Sequence, residues 1–185
     1  MSSIEERLDR IEAHQQISQL VNRYAFALDS RDFDALGQLY IEDLADGGRA
    51  KVQADIAGIM KAFYRTMHQI VGHQIDIVDA DHATGRVYTR AEHEKGDEWI
   101  DMAILYFDDY VRVDGRWYFA KRRDLHHVHV TNLTDRPVAP FVPNTPWTAN
   151  RVPLPAAWGS VWTEYWADTS EADIAALTHT PVERP

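Results

Sequence analysis

The sequence contains no cysteine, which excludes thiol nucleophiles, thiolate metal sites, disulfides and iron–sulfur clusters and leaves oxygen and imidazole to carry any chemistry. Two places offer those groups at informative spacing. Tyr24 and Asp29 lie five residues apart near the end of a helical pattern. In a regular helix that offset is about 140° at about 100° per residue, so the two do not share one face. Asp29 sits where the helix should stop, however, and a terminal residue can turn back toward the mouth of a cavity that Tyr24 lines. His68 falls in Thr66-Met67-His68-Gln69-Ile70-Val71-Gly72-His73, at the junction of a helix and a strong strand, and such junctions are common homes for functional side chains. Strand parity opposes His68 to Ile75 and Ile77 unless Gly72 marks a bulge that resets the count. Histidine exchanges a proton near neutral pH and a carboxylate beside it fixes its tautomer, so an aspartate and a histidine facing one cavity would form an acid–base pair. Read singly, Asp29 serves as well as a capping residue and His68 as a hydrogen-bonded structural histidine.

A second group of candidate ligands is the run Leu125-His126-His127-Val128-His129, in which His127 and His129 share a strand face. No third ligand stands at a supporting spacing, and an exposed strand end explains the run equally well. Neither a metal nor another cofactor is expected.

These residues need a scaffold, and the hydrophobic pattern supplies one. Ile4, Leu8 and Ile11, then Ile17, Leu20, Val21, Tyr24 and Leu28, recur at helical intervals and predict a long helix ending near Asp29-Ser30. Asp32 reads as the N-cap of a short helix carrying Phe33, Leu36, Leu39 and Tyr40. After the turn signal Asp46-Gly47-Gly48, helical spacing returns over Ala54 to Tyr64. From Gln69 onward the character is β: Gln69 to Val78, Thr84 to Glu94, Glu98 to Val113 and Arg116 to Arg123, joined by short turns that make neighbouring strands antiparallel. Helices followed by an antiparallel meander define an α+β fold, with the helices on one face of a curved sheet.

The 185 residues fit one domain with a terminal extension. Beyond Val130 the prolines cluster between Pro137 and Pro185, together with Trp147, Trp158, Trp162 and Trp166, so residues 1–130 read as the domain and 131–185 as an extension packing on it or on a neighbouring subunit. Pro155 to Trp166 is a candidate helix presenting three tryptophans at four-residue spacing. A formal net charge of −10 argues against nucleic acid as a partner. The charged start and the lack of a long apolar run argue against a secretory signal and a membrane span, so a cytoplasmic protein is expected.

The segments Arg23-Tyr24-Ala25-Phe26-Ala27-Leu28-Asp29 with Asp32-Phe33-Asp34-Ala35-Leu36, Met67-His68 leading to Gly72, Ala83-Thr84-Gly85-Arg86, and Asp114-Gly115-Arg116-Trp117-Tyr118 form an ordered set. Across about residues 5 to 125 it resembles the SnoaL-like branch of the NTF2-like fold, a group that includes dehydratases, a dehydrochlorinase and polyketide cyclases. The resemblance implies an NTF2-like cone, a homo-oligomer (dimer or trimer), and catalytic roles for Asp29, His68 and Tyr24. It also implies an arginine near the end of the last strand. Arg122 and Arg123 compete for that place, and since adjacent strand residues point oppositely only one can face inward; Arg123 is the candidate carried forward. Between Tyr40 and Ala54 the chain is shorter than in these relatives, which points to a reduced first strand.

On that resemblance, the expected activity is cofactor-free acid–base chemistry, a dehydration or other elimination or an isomerisation, on a small to medium apolar molecule carrying a carbonyl. Phe63, Met67, Tyr88, Met102, Ile104 and Tyr106 are candidate substrate-binding residues, each equally acceptable as plain core, and Arg123 joins them as the inward arginine that the resemblance implies. His73 is either a further polar group of the pocket or surface. The competing reading is a non-catalytic module of the same fold, a ligand carrier or an oligomerisation subunit, in which Asp29 and His68 need not meet.

Overall fold

A computed structural model describes residues 3–44, 47–96, 98–131 and 159–177, with side chains on the last strand described as far as Leu125. Residues 132–158, which include Trp147, Trp158 and the start of the candidate helix at Pro155, and the side chains of His126, His127 and His129 therefore lie outside the described part.

Helix α1 spans Ile4–Ser30 and opens with a reciprocal cap, in which Ser3 Oγ accepts from the Glu6 amide and the Glu6 carboxylate accepts from the Ser3 amide. Its first turns expose Ile4, Leu8 and Ile11, and burial begins at Ala13 and continues through Ile17, Leu20, Val21, Tyr24 and Leu28. The helix ends on Arg31, which takes a left-handed conformation (φ 66°) rare outside glycine. Asp32 then caps the short α2 (Phe33–Gly37) by accepting from the Ala35 amide.

Helix α3 runs Gly48–Met60, starting and ending earlier than its apolar spacing suggests. Its first turns, Arg49 to Gln53, carry Val52 as their one large apolar residue among strong helix formers, so propensity extends the helix where hydrophobic periodicity is weak. Arg49 anchors that end by donating to the Tyr40 carbonyl and to Gln38 Oε1.

The strands β1 (Thr66–Ile77), β2 (His82–Lys95), β3 (Glu98–Val113) and β4 (Arg116–Thr131) form one antiparallel sheet in the order β1-β2-β3-β4. β4 extends beyond Arg123 because its whole length pairs with β3. Beside β4 the chain at Tyr40 makes a single parallel bridge to Phe119, fixed by the Ile41 amide on the Phe119 carbonyl and the Phe119 amide on the Leu39 carbonyl. That bridge is all that stands in the place of a first strand, among the described residues. The core lies between α1, α2 and the inner face of the sheet, where Val87, Ala91, Ile104, Tyr110, Trp117 and Phe119 meet Ile17, Leu20, Val21 and Leu36. This is the α+β cone expected from the sequence.

Bulges set which side chains face that core. The β1–β2 register slips between Ile70 and Gly72, so His68 and Ile70 share a face with Ile75 and Ile77 despite their opposite parity. On β4 the pairing steps from Phe119 to Lys121, leaving Ala120 as the extra residue and turning Arg122 to the side that Trp117 and Phe119 occupy.

Two short helices, α4 (Ser160–Tyr165) and α5 (Glu171–Leu177), return to the domain. Trp162 and Trp166 are buried, their rings against Tyr64, and the Gly96 amide donates to the Leu177 carbonyl. No helix among the described residues is long and apolar enough to cross a membrane.

Candidate functional site

Asp29 occupies the last turn of α1 and reaches across to the start of β1. Its Oδ1 accepts from Thr66 Oγ1 at 2.8 Å and lies 2.7 Å from His68 Nδ1, while its Oδ2 accepts from the His68 amide at 2.8 Å. An ionised carboxylate only accepts, so this geometry puts the imidazole hydrogen on Nδ1 and leaves the Nε2 lone pair free. Both side chains are nearly closed to solvent, at 5% for His68 and 9% for Asp29.

His68 lines a cavity of about 650 Å³ between α1, α3 and the sheet, and Asp29 does not. The angular offset between Tyr24 and Asp29 is thus no obstacle. Tyr24 and Leu28 share the cavity face of α1, and Asp29, one residue further round, holds His68 from behind. Leu28, Val52, Ile56, Met60, Phe63, Met102 and Ile104 supply apolar wall, and the exposed Lys51, Asp55, Lys121 and Asp124 stand at its rim.

A second histidine enters the same space. The His93 ring lies 5.4 Å from His68 in an edge-to-face arrangement and 4.5 Å from the Phe63 ring. Burial above all, and then the neighbouring His68, push His93 down to about 3, so it is neutral; its Nδ1 has no hydrogen-bond partner. Inward parity on β2 runs Ala83, Gly85, Val87, Thr89, Ala91, His93, a small or apolar series ending in an imidazole, and this is the sequence signal that marks it.

Further along the cavity Arg122 pairs with Asp108, its Nε at 3.0 Å and Nη2 at 3.1 Å from the carboxylate oxygens. The guanidinium carbon sits 4.3 Å from the Tyr24 ring centroid, 4.1 Å from that of Tyr106 and 4.6 Å from that of Phe119. Its Nη1 is buried without a protein partner and remains an unused donor. Burial raises Tyr24, so its phenol keeps its hydrogen and acts as a donor. Behind this cluster Tyr110 donates to Asp108 at 2.8 Å and lies 3.1 Å from His73 Nε2. His73 is lowered to about 4 by burial and then by Arg122, and it stands outside the cavity wall.

Phe63, Met102, Ile104 and Tyr106 line the cavity, as does Tyr24. Met67, 45% exposed, and Tyr88, 58% exposed, sit on the outer face of the sheet, since each neighbours an inward residue on its strand. Arg123 is exposed, and the Ala120 bulge gives the inward place to Arg122. His93 and Tyr40 line the cavity although sequence reasoning did not select them, and Arg122 lines it although Arg123 was preferred.

The sequence model of the SnoaL-like domain matches residues 9–123. No curated protein sequence matches the chain. Solved structures do. A protein from Novosphingobium aromaticivorans described as a candidate scytalone dehydratase is 25% identical, with a TM-score of 0.61 over 67% of this chain and 90% of its own. A type 3 hexachlorocyclohexane dehydrochlorinase from Novosphingobium barchaimii is 20% identical, with a TM-score of 0.67 over 72% of this chain and 99% of its own. A type 2 hexachlorocyclohexane dehydrochlorinase is 19% identical, with a TM-score of 0.65 over 75% and 99% respectively.

Proposed function

The chain belongs to the SnoaL-like domain family, and from that premise we propose that it is a cofactor-independent acid–base enzyme, a dehydratase-like lyase or an isomerase, acting on an apolar carbonyl compound of small to medium size. The observation that carries the reading is the 2.7 Å contact between Asp29 Oδ1 and His68 Nδ1 at the wall of a largely apolar cavity with a charged rim. The similarity to a candidate scytalone dehydratase supports an elimination of water.

In this mechanism His68 Nε2 removes a proton from the carbon beside the carbonyl, and Asp29 stabilises the imidazolium. Tyr24 and the free Nη1 of Arg122 donate hydrogen bonds to the oxygen on which negative charge develops. When the electron pair returns, a hydroxyl on the next carbon leaves and takes the proton from the imidazolium, departing as water. Returning that proton to a different carbon of the same substrate instead gives isomerisation.

The test is deuterium exchange. Wild-type protein in D2O catalyses exchange at the carbon beside the carbonyl in a panel of apolar ketones, read by NMR, and turns over those bearing a hydroxyl on the next carbon. His68→Ala abolishes both, and full activity in that variant refutes the assignment.

A further inference from the structure

Arg31 is the C-cap of α1, and its left-handed backbone turns the side chain back beneath the helix end rather than out to solvent. The guanidinium is buried and touches three separate segments. Nη1 donates to the Leu28 carbonyl at 2.6 Å and to Thr66 Oγ1 at 2.9 Å, and Nη2 donates to the Phe63 carbonyl at 3.0 Å. One cation therefore joins the last turn of α1, which carries Asp29, to the entry of β1, which carries His68.

The bond to Thr66 has a direction. Because Arg31 fills an acceptor site on Thr66 Oγ1, the threonine hydrogen is free to point only elsewhere, and it points at Asp29 Oδ1, 2.8 Å away. Donation thus runs one way, from Arg31 through Thr66 to Asp29, and meets the His68 ring donating from the other side. Without the first donor the threonine hydroxyl can rotate, and Asp29 loses part of what fixes its orientation.

Burial lowers Arg31 to about 10, which still leaves it a cation at neutral pH. Two aromatic rings cover it, with the guanidinium carbon 5.2 Å from the Trp162 centroid and 5.8 Å from the Tyr165 centroid. Both belong to α4, beyond the residues 9–123 that the family model spans. That helix is held in place by Tyr165 Oη donating to the Ala57 carbonyl at 2.7 Å, by Lys61 Nζ on the Tyr165 carbonyl, and by the Trp162 and Tyr64 rings meeting edge to face at 5.7 Å.

We propose that Arg31 is a positioning residue for the Asp29/His68 pair and that α4 of the C-terminal extension completes the site by shielding it. The proposal rests on the acid–base reading of that pair, and its primary test needs no substrate, so the two fail separately. Long-range 1H–15N spectra of the imidazoles in the full chain, with His68 assigned from His68→Gln, read a single Nδ1–H tautomer in the wild type. Arg31→Met, which keeps the stem but loses charge and donors, converts it to a mixture. Arg31→Lys, which keeps the charge but loses the planar fork, retains more of the wild-type state. Trp162→Leu admits water to the guanidinium and shifts the ring the same way. With a substrate from the exchange assay, kcat in Arg31→Met falls about tenfold with KM little changed, the mark of lost alignment rather than lost binding. A wild-type tautomer in Arg31→Met overturns the role of Arg31, and one in Trp162→Leu overturns that of α4. Should Arg31→Met fail to unfold cooperatively, Arg31→Lys decides in its place, a spectrum identical to wild type counting against the proposal.

Discussion

The rings of His68 and His93 meet edge to face with centroids 5.4 Å apart, the first bonded to a carboxylate and the second with its Nδ1 unpartnered. The two imidazoles differ in what holds them: Asp29 fixes one tautomer of His68, whereas burial holds His93 neutral with a polar edge available to a ligand.

That division has a pH signature. His93 is pushed down to about 3 in the folded chain, against about 6.5 for an ordinary histidine. Between those values the unfolded chain binds more protons, so stability rises with pH across the window and is lost as pH falls from about 6.5 toward about 3. One histidine contributes at most about 1.4 kcal/mol per pH unit there. Urea midpoints should therefore decline below about pH 6.5 in the wild type and decline less in His93→Gln. His73, lowered to about 4, keeps part of the slope in that variant. Identical slopes in the two proteins would remove His93 as a cause.

Asp29→Asn isolates the charge of the pair from its shape. Both Asp29 oxygens accept, Oδ1 from Thr66 and the His68 ring and Oδ2 from the His68 amide, so an asparagine NH2 meets a donor in either orientation. The ring is then driven toward the Nε2–H tautomer, which cannot act as base toward the cavity. Turnover should fall by ~10²- to 10⁴-fold, and one mismatched buried hydrogen bond should cost about 1–3 kcal/mol of stability. Steady-state kinetics beside a denaturation curve separate the two effects, and unchanged kcat would sink the acid–base reading.

The sequence made the elements legible where one face is apolar and the period is kept, as in α1 from Ala13 to Leu28 and in β3. It made α3 less so, because the helix begins in a stretch of weak hydrophobic periodicity that propensity marks. Among the candidate site residues, Met102, Ile104 and Tyr106 keep the inward parity of β3 and line the cavity, whereas Tyr88 falls on the outward parity of β2. Direction failed at Arg123 because the Ala120 bulge depends on pairing with β3, and the Gly72 bulge that turns His68 inward was only one of two readings until the register was known. Arg31 gave no signal in the sequence, since an arginine two residues past an aspartate reads as surface until its left-handed backbone is seen.

Two glycines separate crowding from freedom. A Cβ at Gly85 would lie 2.8 Å from Tyr110 Cε2, 2.9 Å from its Oη and 3.1 Å from the Gln74 carbonyl. Tyr110 is fully buried and bonded to Asp108 and close to His73, so it has no room to yield. Gly85→Ala should cost about 1–3 kcal/mol. A Cβ at Gly58, within α3, meets nothing within 4 Å, and Gly58→Ala should stabilise by about 0.5–1 kcal/mol through helix propensity. Thermal unfolding reads both, at about 2–4 °C per kcal/mol for a chain of this size. Equal shifts in the two variants would contradict the packing around Tyr110.

Removing Arg122 strands its partner. Asp108 is wholly inaccessible, and burial already raises its carboxyl against the lowering influence of Arg122. Arg122→Met leaves Asp108 to face that burial alone, at a cost of about 3–5 kcal/mol. The carboxyl can relieve the penalty by holding a proton that the unfolded chain gives up near pH 4, so in this variant stability falls as pH rises above that value. Urea unfolding at about pH 5 and about pH 8 should show the larger loss at the higher pH, and Arg122→Met with Asp108→Asn should recover part of it by removing the buried charge. The single variant also loses the Nη1 donor, so turnover should drop even where the protein remains folded. A pH-independent loss, or a double variant no more stable than the single one, would mean that the stranded Asp108 charge is not the source of the loss.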